Sequence, residues 1–265
     1  MTTTTTISFW RLLKRSNLLT ARQFAQVRTA AAKADLSEKP RALTQALVKR
    51  GLLTNWQATQ LLAGQRAFFL GKYKLLDRLG SGGMGSVFRS LDTKTHRVVA
   101  LKVLSEERMN NQSAVARFRR EIDAAMRLDH PNIIAALDSD RVGRTYFLVM
   151  EYSAGIDLHQ WVKQRGPLPI PLACDFTRQA ALGLQHAHEQ GMVHRDVKPA
   201  NLLVVQHPVN GEPIVKLLDM GLARFVSEES VEGELTETGQ ILGTPDYIAP
   251  EQAKNTRKAD IRADV

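Results

Sequence analysis

The spacing of apolar residues changes near residue 72 of the 265-residue chain. Before that point apolar side chains recur about one helical turn apart, beginning with Phe9, Leu12 and Leu13, which predicts short amphipathic helices. From Tyr73 onward, short apolar runs alternate with polar residues in a pattern typical of β-strands. The sequence therefore predicts three to five helices in residues 1–71, followed by a segment that opens with strands.

The predicted helical region, residues 1–71, contains two similar segments. Residues 17–23 have the sequence NLLTARQ and residues 51–57 have the sequence GLLTNWQ, an offset of 34 positions. In each segment the threonine and the glutamine three positions later are spaced as a capping box, which satisfies free N–H groups at a helix start. These residues are Thr20 with Gln23 and Thr54 with Gln57. We interpret the pattern as an internal duplication that builds a small bundle from two helical hairpins.

The excess positive charge lies in the same region. The chain has 36 Lys and Arg against 27 Asp and Glu, and residues 1–71 hold 11 of the former and 2 of the latter. The net charge of +9 therefore belongs to this segment alone. Such a surface binds nucleic acid or an acidic partner, or is a solvated helical face that docks on the rest of the chain. Because interleaved aromatic residues and a recognition helix are missing, we favour the solvated face.

Composition and cysteine content narrow the class of protein. A hydrophobic fraction of 43% and a charged fraction of 24% are typical of a folded globular chain rather than a disordered one. No apolar run approaches the ~18 residues of a membrane helix, and the start lacks the features of a secretory signal. Cys174 is the only cysteine, which excludes an internal disulfide. We therefore expect a cytoplasmic protein without a membrane segment.

A glycine-rich segment separates the first two predicted strands. Residues 80–85 have the sequence GSGGMG, and the strands cover residues 75–79 and 86–90. Glycine lets the backbone approach a polyphosphate closely and point its N–H groups at it. A strand follows where a dinucleotide-binding fold would have a helix, and no Gly-Lys-Ser/Thr ends the segment as in a P-loop.

A lysine interrupts the next apolar strand. Residues 98–104 have the sequence VVALKVL, and Lys102 in this run is either a solvated edge residue or a functional cation. A helix is predicted from about Ser113 to just before His130. Its Glu121 lies beside the apolar stripe, where the side chain is placed to reach inward. The sequence pattern by itself leaves both interpretations of the lysine open.

Two acids and an asparagine follow a long helix predicted over residues 172–190. HRDVKPAN occupies residues 194–201, a hairpin with an expected tight turn at Asn210-Gly211 comes next, and LLDMG occupies residues 217–221. Taken singly, such polar residues are more often turn formers and caps than ligands. At the ends of short apolar strands, however, their oxygens suit Mg²⁺, and one carboxylate suits a base beside a reacting hydroxyl.

Together these segments resemble the protein kinase family. GSGGMGSV, VALK, a helical Glu121, HRDVKPAN, DMG and a final APE occur in the family's order. The resemblance is nearest to bacterial, eukaryotic-like serine/threonine kinases, and the basic region looks like helical domains that precede kinases in planctomycete proteins. It implies an α+β, protein-kinase-like bilobal fold after a small all-α helical domain. The implied parts are a basic helical domain at 1–71, a kinase N-lobe at 73–152 and a partial C-lobe at 153–265.

The resemblance also implies roles for individual residues. Asp196 would accept the proton of the substrate hydroxyl, and Lys198 would steady the transferring phosphoryl group. Lys102 would pair with the ATP phosphates and with Glu121. Mg²⁺ would be held by Asn201 and Asp219. ATP would be contacted by the glycine-rich segment, the adenine-binding residues and the hinge, namely Leu79, Gly80, Ser81, Gly82, Gly83, Met84, Gly85, Ser86, Val87, Ala100, Lys102, Glu151, Ser153, Asp157 and Leu203.

The implied activity is transfer of the ATP γ-phosphoryl group to Ser or Thr hydroxyls of a protein substrate. Arg195, just before the expected base, suggests control by phosphorylation of the activation loop. Thr236 and Thr238 are the expected sites of self-phosphorylation. The alternative is an acidic loop whose threonines are incidental.

The last residues lead to a second expectation. Residues 260–265 match the start of the family's central C-lobe helix, and Asp264 matches the residue that hydrogen-bonds the catalytic-loop backbone. We therefore expect a C-terminally truncated kinase with low or no activity of its own. The alternative functions are an inactive ATP-binding signalling module and, less favoured, a basic nucleic-acid-binding protein.

Overall fold

The computed structural model describes residues 6–82, 85–104, 122–123, 125–219, 245–255 and 260–265. The chain divides into two compact units, each with helices and strands, which confirms the α+β class. The first unit is Met1–Val103 with Arg141–Gly143, and the second is Leu104–Asp140 with Arg144–Val265.

The first unit begins with helices that repeat at the spacing of the sequence duplication. They are α1 (Thr6–Arg15), α2 (Ala21–Lys33), α3 (Pro40–Lys49) and α4 (Asn55–Leu62). The start of α3 follows that of α1 by 34 residues, and the start of α4 follows that of α2 by the same distance. Both bonds of the capping box are present at Thr20 and at Thr54. The predicted number of helices and both capping boxes are confirmed.

The ends of α1 and α3 also correspond. After α3, Gly51 has a φ of 68°, and its N–H donates to the Val48 carbonyl while the Leu52 N–H donates to the Leu47 carbonyl. This pair of bonds is the Schellman motif, which needs a residue in the left-handed region. Asn17 occupies the equivalent position after α1 with a φ of 53°. The duplication therefore extends to backbone geometry.

One apolar core joins the helices. It takes Phe9 and Leu13 from α1, Leu47 from α3, Leu61 from α4, and Phe68 from the segment that leads into the sheet, each at most 2% exposed. Burying a side chain of this size contributes about 2 kcal/mol, so short helices that would be marginal alone are stabilised together.

Four consecutive antiparallel strands lie in the first unit. They are β1 (Phe69–Leu70), β2 (Tyr73–Gly82), β3 (Gly85–Asp92) and β4 (Val98–Val103), each paired with the next. The β2–β3 pairing extends to Gly82 and Gly85, and the register shifts twice along β2, between Leu75 and Asp77 and between Arg78 and Gly80. The predicted strands on both sides of the glycine-rich segment are confirmed.

The second unit supplies the loops of the candidate site. Its strands and helices are β5 (Ala136–Val142, of which the last two residues belong to the first unit), β6 (Thr145–Glu151), β7 (Gly155–Asp157), α5 (Leu158–Arg165), α6 (Ile170–Glu189), β8 (Leu202–Gln206), β9 (Pro213–Leu217) and α7 (Pro250–Asn255). Strands β7, β8 and β9 form a three-stranded antiparallel sheet in that order. Short 3₁₀ turns occur at Pro199–Asn201, Pro245–Tyr247 and Ile261–Asp264.

Helix α6 packs against β9 and the segment before β5. Phe176 and Leu184 of α6 are buried, in clusters that also contain Val215 and Leu217 of β9. Gly183 faces the contact, since a Cβ there would lie 2.8 Å from a Leu217 methyl carbon. The predicted long helix is confirmed, and its glycine allows the close approach that places the following loop.

The β8–β9 hairpin is confirmed, but its predicted two-residue turn is wrong. Six residues, 207–212, connect the strands, closed by a bond from the His207 N–H to the Glu212 carbonyl at 2.7 Å. A tight type I′ turn needs positive φ at both central residues. Gly211 has a φ of 73°, whereas Asn210 is not in the positive-φ region and instead accepts the Glu212 N–H through its side chain.

Candidate active site

The Asp196 carboxylate is held from two directions. Lys198 Nζ lies 2.9 Å from it, and Asn201 Nδ2 donates to Asp196 Oδ2 and to the Asp196 carbonyl, both at 2.8 Å. The 3₁₀ turn at Pro199–Asn201 brings the asparagine back toward the acid. Because the Asp196 side chain remains 31% exposed, the carboxylate is oriented yet accessible to an incoming hydroxyl.

A buried carboxylate fixes the backbone before this residue. Asp264 accepts the N–H of His194 at 2.7 Å and the N–H of Arg195 at 2.6 Å. Burial raises the pKa of the Asp264 carboxyl, although the two amide bonds act in the opposite direction. On the other side, Gln252 Nε2 donates to the Arg195 carbonyl at 2.9 Å. The predicted contact between Asp264 and the loop backbone is confirmed, whereas the contribution of Gln252 was not predicted.

His194 connects the loop of residues 194–201, which contains Asp196, to the end of β9. Its Nε2 lies 2.9 Å from the Leu218 carbonyl oxygen, and its Nδ1 accepts the Asp196 N–H at 3.3 Å. The Leu218 N–H in turn donates to the Asn201 carbonyl at 2.9 Å. Asp219 follows directly, so these bonds fix the backbone from which its carboxylate extends.

Two residues of this region adopt left-handed backbone conformations. Arg195 has a φ of 64° and Asp219 a φ of 61°. For a residue with a Cβ this conformation costs about 1–2 kcal/mol, and it persists where neighbouring contacts enforce it. Here the bonds to Asp264, Gln252 and Leu218 supply those contacts. Strain of this kind concentrates at functional sites.

The oxygens of Asn201 and Asp219 suit a hard cation. Both side-chain bonds of Asn201 are made by Nδ2, so Oδ1 accepts no hydrogen bond from the residues that the structure describes. Among those residues no cluster of three or more His, Cys, Asp or Glu forms a metal site on its own. Mg²⁺ characteristically takes one or two protein oxygens and completes its shell with water and substrate phosphates. The donor set present fits such an ion.

In the first unit, Lys102 lies opposite Val87 in the β3–β4 pairing. Ala100, two positions earlier, shares its face of the sheet because side chains alternate along a strand. Lys102 is only 4% exposed, which is inconsistent with a solvated edge lysine. Gly80 and Ser81 are exposed at the end of β2. Strands β2 to β4 thus carry the described residues of the predicted phosphate contacts and some of the predicted adenine contacts, including Leu79, Gly82, Gly85 and Ser86.

The remaining predicted nucleotide contacts lie in the second unit. Asp157 and Leu203 are directly opposed in the β7–β8 pairing, and Asp157 also caps α5 by accepting the Gln160 N–H at 2.8 Å. The Glu151 carboxylate receives Lys216 Nζ at 2.6 Å, an ion pair that the sequence did not predict. Ser153 lies between these elements and is half-buried.

Several predicted functional residues lie outside the described residues. They are Gly83, Met84, Glu121, Thr236 and Thr238. The predicted roles of these residues stay predictions.

Comparison with known proteins identifies related sequences. Residues 73–265 match the family model of the protein kinase domain. Serine/threonine-protein kinase pkn3 of Myxococcus xanthus is 40% identical over 196 residues, covering 73% of this chain and 35% of that protein. Serine/threonine-protein kinase PrkC of Bacillus subtilis is 36% identical over 206 residues, covering 77% of this chain and 30% of that protein. The chain thus spans about a third of the length of these curated relatives.

A solved structure shows the same architecture. The crystal structure of the Mycobacterium tuberculosis PknI kinase domain superimposes with a TM-score of 0.57 at 29% sequence identity, covering 74% of this chain and 70% of that chain. This likeness confirms the fold predicted from the sequence motifs.

Proposed function

The chain belongs to the protein kinase family, and we propose that it transfers the γ-phosphoryl group of ATP to serine or threonine hydroxyls of a protein substrate. The arrangement of Asp196 between Lys198 and Asn201 carries this proposal. The names of the curated relatives, all serine/threonine-protein kinases, support the choice of acceptor.

In this reaction the hydroxyl oxygen of the substrate attacks the γ-phosphorus of ATP. The bond from that phosphorus to the bridging oxygen breaks, ADP leaves, and the hydroxyl proton passes to Asp196. The two donors on Asp196 orient its carboxylate, which keeps one oxygen directed at the acceptor. Lys198 carries a second function, because its positive charge lies beside the site where negative charge develops.

Asn201 and Asp219 are the residues that would hold Mg²⁺. When bound, the ion neutralises negative charge on the phosphates. Because Nδ2 of Asn201 is bonded to Asp196, its Oδ1 would bind the ion, and one residue would serve both the metal and the base.

Lys102 binds the phosphates of ATP in this proposal and pairs with Glu121. Val87, Ala100 and Leu203 contact the adenine, and the glycine-rich end of β2 supplies backbone N–H groups to the phosphates. The burial of Lys102 supports its role, since a buried ammonium is costly unless an anion compensates it. The backbone of residues 151–153 forms the hinge, and Asp157 contacts the ribose.

Regulation through the activation loop forms part of the proposal. Self-phosphorylation at Thr236 or Thr238 would create a dianion that pairs with Arg195. Support comes from the backbone of Arg195, which is bonded on both sides by Asp264 and Gln252. A cytoplasmic location is proposed because ATP is available there and the lone Cys174 stays reduced.

The decisive experiment measures phosphate transfer by the full 265-residue chain. Labelled ATP, Mg²⁺ and a generic protein substrate are supplied, and transfer to the substrate and to the chain itself is followed. We expect Asp196→Asn to lower the rate at least about 100-fold while Mg-ATP binding changes little. Asp138→Asn, an exposed acid on β5, is the matched control and should keep the wild-type rate.

Equal rates for Asp196→Asn and the wild type would refute the assignment of the base. Binding of Mg-ATP by the wild type without any transfer would instead identify an inactive nucleotide-binding module. Calorimetry on the same preparations distinguishes the two results.

A further inference from the structure

The N-terminal turn of α4 binds the backbone of β2. Thr54 Oγ1 donates to the Leu76 carbonyl at 2.5 Å, and Gln57 Nε2 donates to the Leu75 carbonyl at 2.6 Å. The same two side chains form the capping box of α4, so each of them bonds both to its own helix and to β2. Gln57 is only 1% exposed, and loss of its amide would leave a poorly solvated carbonyl without a donor.

These carbonyls belong to a β-bulge. Leu75 and Asp77 pair with consecutive residues of β3, so Leu76 is an extra residue in the ladder. A bulge increases the local twist and changes the direction of the strand beyond it. Strand β2 continues from this point to Gly82, at its glycine-rich end. The conformation of this bulge, together with the second register shift between Arg78 and Gly80, therefore sets the direction in which that end projects.

Trp56 extends the contact to the second strand of the hairpin. Its ring packs edge-on against Phe88 of β3, with centroids 5.7 Å apart, and against Phe68 at 5.8 Å. Phe88 pairs with Arg78 and directly follows Val87, one of the expected adenine contacts. The α4 turn thus contacts both strands that lead to the glycine-rich segment.

The first copy of the duplicated segment lacks this contact. Thr20 and Gln23 form the same capping box, yet Thr20 is exposed, and within the described part of the chain neither side chain bonds to the sheet. Arg22 replaces the tryptophan. Helix capping alone therefore does not require the bonds to β2, which are an addition specific to the second copy.

We propose that Thr54, Trp56 and Gln57 are positioning residues for nucleotide binding. By fixing the bulge of β2 they hold the glycine-rich hairpin in the conformation that presents its N–H groups to the ATP phosphates. This inference rests on the proposed kinase function. It assigns the basic helical domain, residues 1–71, a role in nucleotide binding. A preformed hairpin loses less conformational entropy on binding, which strengthens binding without any new contact to ATP.

The duplication supplies matched control variants. Thr54→Ala and Thr20→Ala each remove one helix cap, and Gln57→Leu and Gln23→Leu each break one capping box. Only the substitutions at Thr54 and Gln57 also remove a bond to β2. We expect Thr54→Ala and Gln57→Leu to weaken Mg-ATP binding about three- to tenfold and to raise the KM for ATP with kcat little changed. The Thr20 and Gln23 variants should bind as the wild type does. Thr54→Ser, which keeps the hydroxyl, should restore binding.

Hydrogen exchange of the full chain without nucleotide provides an independent readout. Amides of residues 78–82 and 85–88 should exchange faster in Thr54→Ala than in Thr20→Ala at matched distance from the Tm. Equal exchange and equal Mg-ATP affinity in the two variants would overturn the positioning role. If the wild type binds no Mg-ATP, the proposed function fails, while the exchange comparison still decides whether α4 holds the hairpin. If Thr54→Ala does not fold, Gln57→Leu against Gln23→Leu gives the same comparison.

Discussion

Asn201 donates both of its side-chain hydrogen bonds to Asp196, one to the carboxylate and one to the backbone carbonyl. The same amide leaves its oxygen available to a cation. In the proposed function, orientation of the base and metal binding therefore depend on opposite ends of one side chain, and a substitution that alters only the donor end can separate them.

Asn201→Asp makes that separation. The variant keeps an oxygen for Mg²⁺ but replaces two donors by a second carboxylate beside Asp196, and two adjacent carboxylates raise the pKa of the pair. We expect the rate of phosphate transfer to fall about 100-fold or more while the Kd for Mg-ATP changes only a few-fold. Initial rates and calorimetry measure the two quantities. Asn210→Asp in the β8–β9 loop is the control, and an Asn201→Asp rate above a tenth of wild type would contradict the orienting role.

Asp264→Ala tests the support of the catalytic loop. The change leaves the N–H groups of His194 and Arg195 without their acceptor, so we expect unfolding free energy to fall by about 2–4 kcal/mol. Urea denaturation measures the loss. Asp260→Ala, an exposed residue of the same C-terminal turn, should cost less than about 1 kcal/mol. Similar losses in the two variants would show that the buried carboxylate does not stabilise the loop.

His130 predicts a pH dependence of stability. Its ring stacks on His186 with centroids 5.2 Å apart and accepts the Asn132 N–H. Burial, with further contributions from His186 and Lys216, lowers the pKa of His130 below its ordinary value of 6.5, whereas Asp129 acts in the opposite direction. The unfolded chain then binds the proton more readily than the folded chain does. The contribution of His130 to folding stability is therefore fully present above pH ~6.5 and is lost as pH falls toward the pKa of the folded state.

The measurement is the urea midpoint at pH 7.5 and at pH 5.5. We expect the midpoint to fall in acid, and His130→Asn, which retains an acceptor for the Asn132 N–H, to show a smaller fall. If the urea midpoint of the variant falls between pH 7.5 and pH 5.5 as much as that of the wild type, His130 is excluded as the group responsible.

Local features of the fold were predictable because they depend on residues close in sequence. Both capping boxes use residues three positions apart, and the strands around the glycine-rich segment follow from alternation. The site residues were predicted from the order of short motifs, and the bond from Asp264 to the catalytic loop followed from its match to one of them. The turn at Asn210-Gly211 was wrong because the dipeptide preference was outweighed by the longer loop that the strands require.

Contacts between distant residues that lie outside those motifs carried no such signal. Lys216 in an alternating strand is indistinguishable from a solvated lysine, yet it pairs with Glu151, 65 residues away. Thr54 was recognised as a cap, but its bond to Leu76 depends on how a helix and a bulged strand pack. Side chains with two polar ends can serve a local and a distant partner together, and the sequence pattern reveals only the local one.

The bonds between α4 and β2 determine where a fragment for expression should begin. A fragment starting at Tyr73, where the kinase match begins, would lose Trp56 from its place against Phe88 and would leave the carbonyls of Leu75 and Leu76 bare. Such a fragment would expose the Phe88 ring beside the glycine-rich hairpin, and we expect it to aggregate. Expression of residues 73–265, the part that matches the kinase domain, should therefore include the preceding helices.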